Sequence, residues 1–257
     1  MARFFLSRDA MDLASGVIPI TGEDAHHIAF SLRMAVGDPL TVCDMQKTEY
    51  ACTITEIRPE RVLLRIDEAK ENRTELPLEI CLYQSLPKGD KMEYIVQKAV
   101  ELGVSEIVPV AGARCIVRLD EKNAQKKVAR WQKIAEEAAK QCGRGIIPHV
   151  GMPVTFASAI ARGRDTELPL FCYEGDGTVS LKAVLDGAMA RLALSRDITQ
   201  PRPRAAIYIG PEGGYDVKEV TMAAEAGIPS VNLGRRILRC ETASGFVLSC
   251  MTYAFEL

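Results

Sequence analysis

The sequence predicts an α/β protein with a mostly parallel sheet, preceded by a small β-barrel. Three observations predict it. Residues 1–72 carry short β-branched or apolar runs spaced by about 10 residues, the rhythm of a small all-β unit. From residue 78 onward, strand-like runs alternate with helical periods, which implies parallel strands covered on both faces. Near the C-terminus two glycine-centred turns each follow a buried-strand pattern and precede a helix pattern. Ligands of open α/β sheets bind at such strand ends.

In the first unit, 41–44, 50–55 and 62–66 read as strands, separated by Gly37-Asp38-Pro39 and Arg58-Pro59-Glu60. Residues 68–75 are charged and nearly free of apolar side chains, so they read as a linker. The domains expected are 1–72 and 76–257. In the second, 78–83 is a strand and 89–102 a helix stopped by Gly103. Residues 106–110 form the next strand. A long helix over 122–142 places Val128, Trp131, Ile134, Ala135, Ala138 and Ala139 on one face. Residues 168–173 are a strand, 179–194 a helix, 196–204 an exposed loop and 205–209 a strand. Asp216 is the expected N-cap of a helix that Gly227 ends. Residues 231–233 are the last strand. The last helix, 241–254, carries Ala243, Phe246, Val247, Cys250 and Ala254 at helical spacing.

Composition excludes several classes. With 257 residues, 47% of them hydrophobic, the chain can bury a full core. No apolar run approaches the roughly 20 residues of a membrane span, and no signal-peptide core opens the chain. The eight cysteines form no CxxC pair and several sit in apolar runs, which favours reduced, buried thiols in a cytoplasmic protein. The three histidines lack ligand-like neighbours, so no metal site is expected. Net charge is −2, yet its distribution is uneven. Residues 1–72 carry −4, while 114–144 hold nine basic residues against four acidic ones. That stretch reads as a phosphate-facing surface or as a solvated helix face.

The first glycine turn is Gly210, Pro211, Glu212, Gly213 and Gly214. Its glycines permit positive φ and close backbone approach to a ligand. It matches neither a dinucleotide fingerprint nor a P-loop, and a purely structural turn stays open. The second turn, Leu233 and Gly234 followed by Arg235, Arg236, Ile237, Leu238 and Arg239, puts apolar side chains in a loop bracketed by arginines. That suits a flat, apolar-faced ligand beside an anionic substrate; ordinary packing with solvated arginines is the alternative. Glu241 and Thr242 suit the first turn of the last helix as caps or as functional groups. Cys240 lacks a basic partner and is a poor candidate nucleophile.

Together these motifs resemble the SPOUT class of RNA methyltransferases, and more narrowly the RsmE family, which methylates N3 of a uridine in 16S ribosomal RNA. The resemblance rests on Gly-Pro-Glu-Gly-Gly at 210–214 and on 233–243. It also rests on His26-His27 with Leu32-Arg33, on 88–93 and 97–104 with Arg114, and on Arg130-Trp131, 137–144 and Pro148. It departs from the family pattern at 44–50, Ala129 and Cys115. It implies a PUA-like N-terminal β-barrel that binds RNA and a C-terminal domain with a deep trefoil knot. It also implies S-adenosylmethionine as methyl donor and a homodimer with sites at the subunit interface. By position, the cofactor would lie against Tyr173, Glu174, Gly210, Pro211, Glu212, Gly213, Gly214, Leu233, Gly234, Ile237 and Leu238. Arg239 is the first catalytic candidate, with Glu212 and Glu241 beside it. Arg8, His27, Arg33, Lys88, Arg114 and Arg144 are the candidate contacts to 16S RNA, taken as part of the assembled 30S subunit. A SPOUT enzyme acting on another ribosomal or transfer RNA nucleotide, or a non-catalytic ribosome-assembly protein, would share much of this sequence.

Overall fold

The structure, a computed structural model, describes residues 2–46, 48–192, 194 and 201–257. They form two compact units. One comprises Met1–Glu75 with Ala139–Ile147, the other Leu76–Ala138 with Pro148–Leu257. The sequence reading separated 1–72 from 76–257 and assigned nothing after residue 76 to the first unit.

The first unit contains β1 (Ala2–Phe5), β2 (Val17–Thr21), α1 (Gly22–His26), β3 (Pro39–Cys43), β4 (Thr48–Arg58) and β5 (Arg61–Glu71). A π-helical turn over His27–Ser31 continues α1. The strands order as β1-β3-β4-β5-β2, a half-barrel in which only the β1–β3 pair is parallel. Period-2 alternation sends Leu40, Val42, Tyr50, Cys52, Ile54, Val62 and Leu64 into one core with Phe4, Ile18, Ile20 and Ile28. Two register shifts along β4–β5 mark bulges that bend the sheet. β1, β2 and α1 escaped the sequence reading, because short elements near polar residues leave little periodicity to read.

The second unit is built on β6 (Glu79–Ser85), β7 (Glu106–Ala111), β8 (His149–Val150), β9 (Val154–Thr155), β10 (Leu168–Cys172), β11 (Val179–Ser180), β12 (Arg204–Ile209) and β13 (Ser230–Asn232). Its helices are α2 (Lys91–Glu101), α3 (Glu121–Cys142), α4 (Phe156–Gly163), α5 (Leu181–Arg191), α6 (Val217–Glu225) and α7 (Cys240–Phe255). The strand order is β11-β13-β10-β12-β6-β7-β8, with β9 also on β7, and every pair is parallel. Parallel strands buried on both faces explain why β6, β10 and β12 are continuous apolar runs. The expected loop at 196–204 falls largely outside the described residues, and its last residue, Arg204, opens β12.

Local chemistry sets the helix ends. Gly103 follows α2 with φ +88°. Asp216 caps α6 in a reciprocal box with Glu219, as its residue type predicts. Gly227 ends α6 at φ +73°. The residues at helical spacing in α7 divide between two surfaces. Ala243 and Val247 are buried with Leu248, Met251 and Phe255. Phe246, Cys250 and Ala254 instead line an apolar groove that α7 forms with α5. A helix buried along one side and apolar along another gives no single stripe for periodicity to detect.

Candidate active site

The strand order places the C-terminal ends of β13, β10, β12 and β6 side by side. The loops after β10, β12 and β13, with Lys91 at the start of α2 beyond β6, wall a cavity of about 400 Å³. The chain passes from β12 through α6 to β13 on the far side of β10, so the β10 end lies between the two strand ends that this crossover joins.

Tyr173 and Glu174 follow β10 and line the cavity. After β12, Gly210, Pro211, Glu212 and Gly214 line it too. This turn is tight: the Gly214 amide donates to the Pro211 carbonyl at 2.9 Å. Gly214 has φ +67°, and a Cβ there would stand 2.7 Å from Glu174 Oε1. Beneath the turn, the buried Tyr215 ring packs on Phe171 at 4.3 Å between centroids. Gly213 is not part of the wall; its carbonyl accepts from Arg114 Nη1 at 3.1 Å.

After β13, Leu233, Gly234, Arg235, Arg236, Ile237, Leu238 and Arg239 form the opposite wall. Asn232 anchors this loop. Its Nδ2 donates to Thr178 Oγ1 at 3.1 Å, and its Oδ1 accepts from the Gly234 amide at 3.3 Å. Ile237 is 84% exposed, an apolar side chain held open over a cavity. Arg239 is the N-cap residue of α7. Among the described residues no partner holds the guanidinium of Arg235, Arg236 or Arg239.

One residue without an expected role organises the rim. Lys91, at the start of α2, lines the cavity and places Nζ 3.0 Å from Glu212 Oε1 and 3.2 Å from Glu241 Oε2. Glu212 Oε1 also accepts from the Lys88 amide at 3.1 Å. Burial works to raise both carboxyls, but their own backbone amides and the Lys91 ammonium outweigh it and hold both below the usual range. The hydrogen bond from Lys91 to Glu212 in turn raises the lysine. Burial pushes the Cys240 thiol up to about 12, aided by Glu241, which leaves it inert as a nucleophile. The signal for Lys91 was its place in the 88–93 motif, one strand end from the Gly-Pro-Glu-Gly-Gly turn.

The expected RNA contacts divide. Lys88 and Arg114 are exposed and both bond the 210–214 turn. In the first unit, Arg8, His27 and Arg33 are exposed. Arg144 must be corrected. It is buried at 3% exposure, with Nε donating to Glu75 Oε1 at 3.2 Å and Nη2 paired to Glu75 Oε2. A guanidinium committed to a buried carboxylate is not offered to phosphate. Among the described residues no cluster of three or more potential ligands could hold a metal, and no helix is long and apolar enough to cross a membrane. No cysteine is paired in a disulfide.

The residues present fit a cofactor with an adenine-like face. Leu233, Ile237 and Leu238 supply apolar contacts, and the glycines leave open a space that a Cβ would fill. Comparison with known proteins agrees with this chemistry. Residues 74–252 match the RNA methyltransferase domain family and residues 20–67 the RNA methyltransferase PUA domain family. The fold and site are those of an RNA methyltransferase. The ribosomal RNA small subunit methyltransferase E of Bacillus subtilis is 35% identical over 259 residues, covering 100% of this chain and 98% of its own. The Synechocystis protein of the same name is 29% identical, covering 95% of this chain and 75% of its own. The crystal structure of the Neisseria gonorrhoeae protein of that name, bound to S-adenosyl methionine, superposes with a TM-score of 0.80 at 31% identity, over 99% of this chain and 98% of that one. The chain belongs to the ribosomal RNA small subunit methyltransferase E family.

Proposed function

We propose that this protein transfers a methyl group from S-adenosylmethionine to N3 of a uridine in 16S ribosomal RNA of the small subunit. The observation that carries the proposal is the cavity itself, with the glycine turn on one wall and, on the other, a loop that alternates apolar side chains with Arg235, Arg236 and Arg239, which have no partner among the described residues. When bound, S-adenosylmethionine supplies a methyl group already activated by its sulfonium. The chain's task is then to bind the base in line and favour its anion, since N3 carries a proton. The N3–H proton leaves to solvent, an N3–C bond forms, and the sulfur–carbon bond breaks with its electron pair kept by sulfur.

Roles follow from position. Tyr173, Glu174, Gly210, Pro211, Gly214, Leu233, Gly234, Ile237 and Leu238 hold the cofactor, and Gly213 shapes the turn. Arg239 stabilises the developing uracil anion. Glu212 and Glu241, ionised and bound to Lys91, orient cations rather than accept a proton. Arg8, His27, Arg33, Lys88 and Arg114 contact RNA, the first three from a PUA-like RNA-binding unit. The target base is unpaired or flipped when it enters.

The proposal extends to a homodimer, supported by the apolar groove of α5 and α7, and to a knotted C-terminal crossover. The knot is supported by α7 packing on both α5 and α2 after β13 has passed β10. An RNA substrate within the 30S particle places the protein in the cytoplasm. The test is transfer of labelled methyl from S-adenosylmethionine to 30S subunits lacking this modification, with nucleoside analysis. Label in 3-methyluridine is the expected result. Label in another nucleoside overturns the choice of base, and no label with cofactor binding intact overturns the choice of RNA.

A further inference from the structure

Lys91 has one hydrogen-bond donor more than the protein uses. An ammonium carries three N–H groups. Two are taken by Glu212 Oε1 and Glu241 Oε2. Among the described residues no protein acceptor takes the third. The side chain is 28% exposed and lines the cavity. Tethering by two carboxylates, one from the turn after β12 and one from the first turn of α7, removes most of the rotational freedom a lysine normally has, so its remaining N–H has a fixed direction.

We propose that Lys91 is a catalytic cation of this site, donating its third N–H to a carbonyl oxygen of the pyrimidine being methylated. The inference rests on the uridine-N3 reading. In uracil, N3 lies between two carbonyls, and loss of its proton spreads negative charge onto both oxygens. One guanidinium covers one side of that anion. Arg239 and the Glu241 that holds Lys91 flank Cys240 at the start of α7, so two cations border one turn of helix. Lys91 serves the second oxygen. It is a donor and not the base, because Glu212 and Glu241 keep it protonated.

The charged and titratable groups facing Lys91 are Glu212 from the turn after β12, and Cys240 and Glu241 from α7. Asp90 precedes it on its own element. Glu174, Arg235, Arg236 and Arg239 line the same cavity.

The experiment measures single-turnover methyl transfer to undermethylated 30S subunits from pH 6 to 10, with cofactor affinity by calorimetry and 30S affinity by filter binding. Lys91→Met is expected to slow transfer by about 100-fold at pH 7, the loss typical of one anion-stabilising donor. Cofactor and 30S affinities stay within about threefold of wild type. The deficit narrows as pH rises, because hydroxide then generates the anion that the cation favoured. Lys91→Arg restores part of the rate. A deficit that is constant across pH and parallels lost cofactor affinity overturns the proposal and leaves Lys91 a tether. Should Lys91→Met fail to fold, Lys91→Met/Glu241→Gln removes one of the two carboxylates left without a cation, and the same pH-dependent deficit is expected of it. Wild-type rates in a folded Lys91 variant overturn this inference alone. A wild-type enzyme inert on 30S subunits overturns the uridine reading and this inference with it.

Discussion

Arg239 and Arg144 are both arginines of family-like motifs, and the structure gives them opposite tasks. Arg239 occupies the N-cap position of α7 at the cavity mouth, and among the described residues no carboxylate pairs with it. Arg144 is sealed against Glu75, with side-chain exposures of 4% and 2%. The same Glu75 accepts the Gly145 amide at 3.1 Å, so this pair fastens 139–147 into the first unit. A desolvated guanidinium without an anion is costly, whereas one at a solvent-filled mouth is available to a substrate. Arg239→Ala is therefore expected to lower single-turnover methyl transfer by about 100-fold or more, with calorimetric affinity for S-adenosylmethionine unchanged. Wild-type turnover would remove Arg239 from the mechanism. Sequence alone could rank Arg239, because it follows an apolar loop at a strand end. It could not distinguish Arg144 from a surface cation, because Glu75 lies 69 positions away. Nor could it see Lys91 between Glu212 and Glu241, since that depends on which strands are neighbours.

At the scale of elements, strands and helices with strong periodicity were legible and short ones were not. The expected strand at 205–209 and helix at 122–142 differ from β12 and α3 by one residue at an end. β8, β9 and β11 have two residues each, too few for a period. α4 was missed although Thr155 caps it and Phe156, Ala159, Ile160 and Gly163 are buried at helical spacing. Its eight residues lie below the length at which that pattern is persuasive. The glycine turns show what an element contributes to function. Gly214 and Gly227 both have positive φ, +67° and +73°. An alanine Cβ at 227 meets nothing within 4 Å, whereas at 214 it would stand 2.7 Å from Glu174 Oε1. Gly227→Ala and Gly214→Ala should each cost about 1–2 kcal/mol for the left-handed conformation, read by denaturant unfolding. Only Gly214→Ala should also weaken calorimetric binding of S-adenosylmethionine, because it displaces a cavity-lining carboxylate. Equal cofactor affinities in the two variants would assign the Gly-Pro-Glu-Gly-Gly turn a folding role alone.

At the scale of the whole molecule, the cavity proposed to hold the cofactor and the apolar groove share a wall. Asn232, Leu233 and Gly234 line both. The groove, about 730 Å³, lies between α5 and α7 and leaves Met189, Phe246 and Tyr253 exposed at 50%, 41% and 75%. An apolar patch of this kind on a polar-rimmed surface marks an association site, and self-association through one face on each copy gives a closed two-fold dimer. Residues 232–234 would then be pressed from one side by the partner copy and from the other by the cofactor. Two ligands acting on one loop are thermodynamically coupled, and the coupling is reciprocal. Tyr253→Asp should shift sedimentation from a species of twice 28.2 kDa to the monomer. Because 232–234 lose their outer support, the same substitution should weaken S-adenosylmethionine binding severalfold, although Tyr253 does not line the cofactor cavity. By reciprocity, saturating cofactor should lower the dimer dissociation constant of the Tyr253→Asp variant by the square of that factor, because each dimer carries two cofactor sites. A monomeric variant with wild-type cofactor affinity would show that the shared wall transmits nothing, and that each site stands by itself.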